Sequence, residues 1–139
     1  MKYWDSSALV SLLVEEGQTA ARIELLERDP SIVTWWGSRI ECASALNRLR
    51  REQLIDAAGL NACLERLQAF AASWVEIEAL DRVRYRALRL LRFHALRSAD
   101  AMQLAAALVA SGEYPRTLDF VCSDTRLSDA AGREGFTIV

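Results

Sequence analysis

Residues 1–15, MKYWDSSALVSLLVE, pass from a short apolar run into a helical pattern at a single acid, Asp5. Tyr3–Trp4 with their neighbours read as a strand and Ser6–Glu15 as a helix, so Asp5 stands at a strand's carboxyl end. The same kind of junction recurs along the chain. Asp124 follows the apolar FVCS of residues 120–123 and precedes another short helix. Glu41 lies in the opening turn of SRIECASALNRLRR (residues 38–51), and Asp100 in the opening turn of SADAMQLAAALVA (residues 98–110). In an open α/β sheet, strand carboxyl ends and the adjoining helix starts face one crevice, and ligands bind there. Four carboxylates gathered in that crevice repel one another unless a hard divalent cation sits among them. Mg²⁺ and Mn²⁺ prefer such oxygen ligands. The pattern points to metal-dependent phosphodiester chemistry.

The rest of the chain alternates in the same way. Gly17 breaks the first helix, and residues 18–28 form a second that ends at Asp29–Pro30. Ser31–Trp36 (SIVTWW) is β-branched and aromatic and too short for a helix, hence a second strand. Helices are expected over Ser38–Glu52 and Asp56–Ala72, the latter with Asp56 as N-cap. Trp74–Ile77 reads as a third strand, Asp81–Phe93 as an arginine-rich helix, and Ser98 as the cap of a helix to Ala110. Phe120–Ser123 is a fourth strand and Thr137–Val139 a candidate fifth. Strands separated by helices imply parallel pairing with helices on both faces. With no linker, repeat or low-complexity segment, residues 1–139 read as one α/β domain.

Composition excludes several classes. Hydrophobic residues make up 52% of the 139 and charged residues 26%, the balance of a soluble globular protein. No apolar run approaches the ~18 residues of a membrane span, and MKYWD lacks the pattern of an export signal. Cys42, Cys63 and Cys122 fit no close metal-binding spacing and read as reduced thiols of a cytoplasmic protein. One histidine, His94, rules out a zinc site built on several, and reads as a surface residue. The net charge of −2 is not that of a generally basic nucleic-acid binder. The positive charge is nevertheless almost all arginine, with Lys2 the sole lysine. Arg82, Arg84, Arg86, Arg89, Arg92 and Arg97 crowd one segment, and guanidinium groups match phosphate bidentately. The alternative is that these arginines are solvated helix faces.

Each acid also has a local structural role open to it. Ser38 and Glu41 have the spacing of a capping box. Asp100 lies in a first turn, where the helix dipole favours negative charge. Asp124 fits an N-cap, and Asp5 an Asx-turn acceptor. Taken together, however, YWDSSALVSLLVEE, SRIECASALNRL, LRSADAMQLAAAL and FVCSDTRLSDAAGREGFTIV resemble, in order and spacing, the four motifs of the PIN-domain family, VapC-type toxins of toxin–antitoxin pairs in particular. The likeness spans essentially the whole chain.

The resemblance implies a PIN-like three-layer sandwich, a central parallel sheet of four to five strands flanked by helices. It implies a Mg²⁺- or Mn²⁺-dependent endoribonuclease with Asp5, Glu41, Asp100 and Asp124 as catalytic acids and metal ligands. Products would carry a 5′-phosphate and a 3′-hydroxyl. Ser6, Ser7 and Ser123 would orient the acids or a water, and arginines of residues 82–92, if they face the crevice, would hold flanking phosphates. Partners would be RNA, a cognate antitoxin and a second copy in a homodimer, with Trp35 or Trp36 at an interface. Where many relatives carry threonine two residues before the fourth acid, this chain has Cys122; Asp119 and Asp129 are the nearest substitutes for Asp124. The alternative reading is a PIN-like domain that binds RNA or protein without cleaving. Phosphoryl transfer to Asp5, as in haloacid dehalogenase-like phosphatases, is disfavoured because Ser7 stands where a second acid is needed.

Overall fold

Tyr3 pairs in parallel with Val33 on one side and with Phe120 on the other, so the first strand lies inside the sheet. The computed structural model describes residues 1–139. In chain order the elements are β1 (Lys2–Trp4), α1 (Ser6–Leu13), α2 (Thr19–Arg28), β2 (Ile32–Trp35), α3 (Ser38–Arg51), α4 (Ala57–Ala71), β3 (Val75–Ile77), α5 (Asp81–Phe93), α6 (Ser98–Ala110), a 3₁₀ turn (Pro115–Thr117), β4 (Phe120–Val121) and α7 (Thr125–Glu134). The sheet order is β3-β2-β1-β4, all parallel. The chain winds outward from β1 through β2 to β3, then returns to place β4 on the other side of β1. The reversal sits between β1 and β4, and the loops leaving their carboxyl ends diverge to open a crevice there.

Period-two alternation sorts each strand's side chains between two cores. Tyr3, Val33 and Phe120 face one, packed with Val83, Ala87 and Leu90 of α5, the alanine-rich α6, and Leu127, Ala130 and Ala131 of α7. Trp4, Ile32 and Val121 face the other, with Leu9 and Leu13 of α1, Leu46 of α3 and Leu67 of α4. Tyr3 stacks on Phe120 at 5.3 Å between ring centroids. Ala101, Ala105, Ala106 and Ala107 of α6 are fully buried; a leucine at Ala105 would overpack this core by about 1–3 kcal/mol.

The α/β sandwich is as expected, with corrections in detail. The candidate fifth strand is a single parallel bridge between Phe120 and Ile138. Two-residue β4 offers little ladder to extend, and the chain reaches it only after the left-handed turn at Gly135 (φ 102°). Ser98 is not the cap of α6: Arg97 holds the cap position and Ser98 is the first helical residue. His94 is not a surface residue, since its side chain is 7% exposed and its Nε2 lies 2.6 Å from Glu134. Trp35 is buried, and Trp36 is exposed. No helix is long and apolar enough to cross a membrane.

Candidate functional site

Asp5 follows the last residue of β1 and caps α1. Its backbone is extended (φ −71°, ψ 155°), and its Oδ2 accepts from the Ser7 N–H at 2.9 Å and the Ser7 hydroxyl at 2.5 Å. The cap is local chemistry written in D-S-S, and it turns the chain from strand to helix at the carboxyl end of β1. Ser7 Oγ in turn accepts from the Ser123 N–H at 2.9 Å, so the loop after β4 is fastened to the loop after β1. The Cys122 thiol lies 3.6 Å from the same Asp5 oxygen. Arg22 completes the fastening: its guanidinium donates to the Cys122 and Val139 carbonyls, both at 2.8 Å.

Glu41 approaches from α3. The expected capping box between Ser38 and Glu41 does not form. Gly37 occupies the cap position, and its backbone passes so close to the Trp35 indole that a Cβ there would lie 2.3 Å from the ring nitrogen. Ser38 turns inward beside Thr34 at 2.6 Å, and Glu41 Oε2 accepts instead from the Ser6 hydroxyl at 2.7 Å and the Gln103 amide at 3.1 Å. Tertiary partners win because a half-buried carboxylate gains more from two donors than from one exposed backbone N–H. Gln103 is the residue that sequence reasoning missed. Fully buried in α6, it accepts from the Tyr3 hydroxyl at 2.8 Å and donates to Ser38 and Glu41. The available signal was its position three residues after Asp100, the lone polar group on the inward face of an apolar helix.

Asp100 and Asp124 sit at the starts of α6 and α7. Asp100 Oδ2 accepts from the Arg97 N–H at 3.1 Å, and Asp124 Oδ1 accepts from the Leu127 N–H at 2.8 Å. The two acids meet at a cavity of about 120 Å³, lined by Arg97, Asp100, Asp124 and Arg126 alone. Arg126 was not among the expected residues, and the cavity takes its arginines from positions 97 and 126, with none from residues 82–92. The substitute acids are elsewhere: Asp119 precedes β4 and binds Lys2 at 3.0 Å, and Asp129 pairs with Arg133 on α7.

Electrostatics link Glu41 to Asp5 and Asp100. Burial pushes the Asp5 carboxyl above its ordinary range, opposed by the hydrogen bonds from Ser7 and Cys122. Burial also raises Glu41; its Ser6 and Gln103 donors oppose this, and the charges of Asp5 and Asp100 add to it. The Cys122 thiol is pushed up to about 12, by burial first and then by Asp5, so it stands as a neutral neighbour.

The side-chain and cap hydrogen bonds to these four carboxylates fall on Oδ2 of Asp5, Oε2 of Glu41, Oδ2 of Asp100 and Oδ1 of Asp124. In kind, this all-oxygen set fits a hard divalent cation. In placement it is looser: no three acidic, cysteine or histidine side chains converge closely enough, as they lie, to hold an ion together. Asp100 and Asp124 are each held by a helix-start N–H.

A parallel sheet with its switch point between the first and last strands and helices on both faces is a PIN-like sandwich. The fold matches the crystal structure of FitAcB from Neisseria gonorrhoeae with a TM-score of 0.67 at 15% sequence identity, covering 99% of this chain and 96% of that one. This is a likeness of fold. No protein-family model matches the sequence, and no curated protein matches it.

Proposed function

We propose that the chain is a Mg²⁺- or Mn²⁺-dependent endoribonuclease of the VapC type, held in check by an antitoxin. The observation that carries the reading is the arrival of Asp5, Glu41, Asp100 and Asp124 from four separate elements at one end of the sheet, each held by hydrogen bonds to neighbouring donors. The fold likeness to FitAcB supports it. Asp5, Glu41, Asp100 and Asp124 would hold the cation, which supplies a more acidic water and offsets charge on the phosphate in an in-line displacement. The chain's own contributions are positional. Ser7 and Cys122 fix one Asp5 oxygen, Ser6 and Gln103 fix one Glu41 oxygen, and Arg97 and Arg126 present guanidinium groups where a phosphate would lie beside Asp100 and Asp124. The carboxylate of Asp5 or Asp124 would orient the attacking water.

A second reading, a PIN-like domain that binds without cleaving, is favoured by the failure of any three acids to converge as they lie. One assay separates the two: purified protein with structured RNA in Mg²⁺ or Mn²⁺, with and without chelator. Cation-dependent cutting supports the nuclease; binding without cutting in either cation supports the alternative. A homodimer and a small partner recovered with the protein from its native cell belong to the same proposal, and light scattering with co-purification tests them.

A further inference from the structure

Arg22 of α2 is buried, at 8% exposure, yet no aspartate or glutamate forms an ion pair with it. Its Nε has no hydrogen-bond partner. A guanidinium buried without an acidic side chain is costly, and what this one holds is a single peptide group. Nη2 donates to the Cys122 carbonyl at 2.8 Å and to Oε1 of Gln18 at 2.9 Å, and Nη1 donates to the Val139 carbonyl at 2.8 Å. The Ser123 hydroxyl donates to the same Gln18 oxygen at 3.0 Å. From the α1 side, Ser7 Oγ accepts from the Ser123 N–H at 2.9 Å. The Cys122–Ser123 peptide is thus gripped at both ends, its C=O by α2 and its N–H by α1.

That peptide lies where the sheet stops holding the chain. β4 ends at Val121, whose carbonyl accepts from the Asp5 N–H at 3.0 Å. Residues 122–124 run on beyond the last paired residues of β1 and β4. Asp124 accepts from the Leu127 N–H, a bond inside its own helix start. The thiol of Cys122 adds only a weak contact with Asp5 at 3.6 Å.

We infer that Arg22 is a positioning residue: with Gln18 it clamps the Cys122–Ser123 peptide against Ser7 and so sets where Asp124 stands relative to Asp5. The inference rests on the metal-dependent reading of those two acids and names a residue outside the crevice on which that reading depends. Arginine suits the task because its planar fork grips several oxygens at fixed angles, which the compact ammonium of lysine does not.

The test reads the clamp without cleavage. In metal-free protein, Arg22→Met should speed amide hydrogen exchange at Ser123 by about tenfold more than at the buried amides of α6, as a local opening does. Gln18→Ala, on the exposed start of α2, removes one jaw with little risk to the fold and should show the same pattern at smaller size. Equal acceleration at all amides, the mark of an arginine that only stabilises the fold, overturns the proposal; so does an unchanged Ser123 in both variants. Mn²⁺ affinity, read from the electron paramagnetic resonance signal of the free ion, should fall about tenfold in Arg22→Met, the scale of a lost ligand-orienting contact. Arg22→Lys should lose nearly as much. In an Asp124→Asn background, where asparagine keeps the cap, Arg22→Met should change the remaining affinity by less than about twofold, because the residue acts through Asp124. Additive losses overturn the positioning role. Wild-type protein that takes up Mn²⁺ with an affinity untouched by Arg22→Met keeps the metal reading and overturns the clamp. Wild-type protein that takes up no Mn²⁺ removes the metal reading, and exchange at Ser123 then decides the clamp.

Discussion

The side-chain amide of Gln103 donates a 3.1 Å hydrogen bond to Oε2 of Glu41, 62 residues away in the chain. Because the Tyr3 hydroxyl donates to the amide oxygen at 2.8 Å, the amide cannot flip without breaking two bonds in a buried site. The sheet's first strand therefore sets the orientation of a carboxylate on a helix at the crevice. Gln103→Leu should orphan the Tyr3 hydroxyl and remove one of Glu41's two donors, at a cost of about 2–3 kcal/mol. A thermal melt should show a fall of roughly 6–15 °C for a chain of this size. A shift within experimental error would mean that the network is not formed.

Asp100 separates site from scaffold. Asparagine keeps an oxygen for the Arg97 N–H, so Asp100→Asn should preserve the start of α6. Removing its charge also relieves Glu41, which Asp100 pushes upward. The expected outcome is a metal-free Tm equal to wild type or roughly 1–4 °C above it, no RNA cleavage, and loss of most of the stabilisation that Mn²⁺ gives wild type. An Asp100→Asn protein that still cuts and still responds to Mn²⁺ would sink the metal assignment.

Glu41→Gln has a different basis than its sequence suggests, because Glu41 is not part of a capping box. Glutamine Oε1 can accept from both Ser6 and Gln103, while the buried charge is lost. In chelator near pH 7.5 the variant should melt no lower than wild type; with Mn²⁺ it should gain less than half the wild-type stabilisation. A melting point several degrees below wild type in chelator would show that the carboxylate is needed for the fold itself.

The pH response follows from Asp5 and Glu41. Both have native pKa values raised above their unfolded ones, so the native state binds their protons more tightly. Their contribution to stability is full below the unfolded values near 4 and is lost as pH rises through the native values. In chelator, Asp5→Asn with Glu41→Gln should flatten the fall in Tm that these two groups cause above pH 4. Cation binding runs the other way, since it needs the ionised forms. The Mn²⁺-induced rise in Tm should therefore grow as pH climbs above the ordinary carboxylate range near 4, and a rise that stays constant from pH 4 upward would falsify the carboxylate site.

What the sequence by itself determined was local. The starts of α1 and α7 at Asp5 and Asp124, the alternation of strand and helix, and the two-faced burial of Tyr3 and Trp4 follow from caps and periodicities that act within a few residues. What only the tertiary structure decided was partnership at long range. Glu41 took Ser6 and Gln103 over the neighbouring Ser38, His94 found Glu134 and left the surface, and the terminal segment had only one bridge to offer β4. The arginines that line the Asp100–Asp124 cavity proved to be Arg97 and Arg126, brought together from the starts of two helices by the return of β4 to the far side of β1. A cap is decided by a backbone N–H two or three residues away. The partner of a buried polar side chain depends on which strands are adjacent, and strand order is a property of the packed sheet.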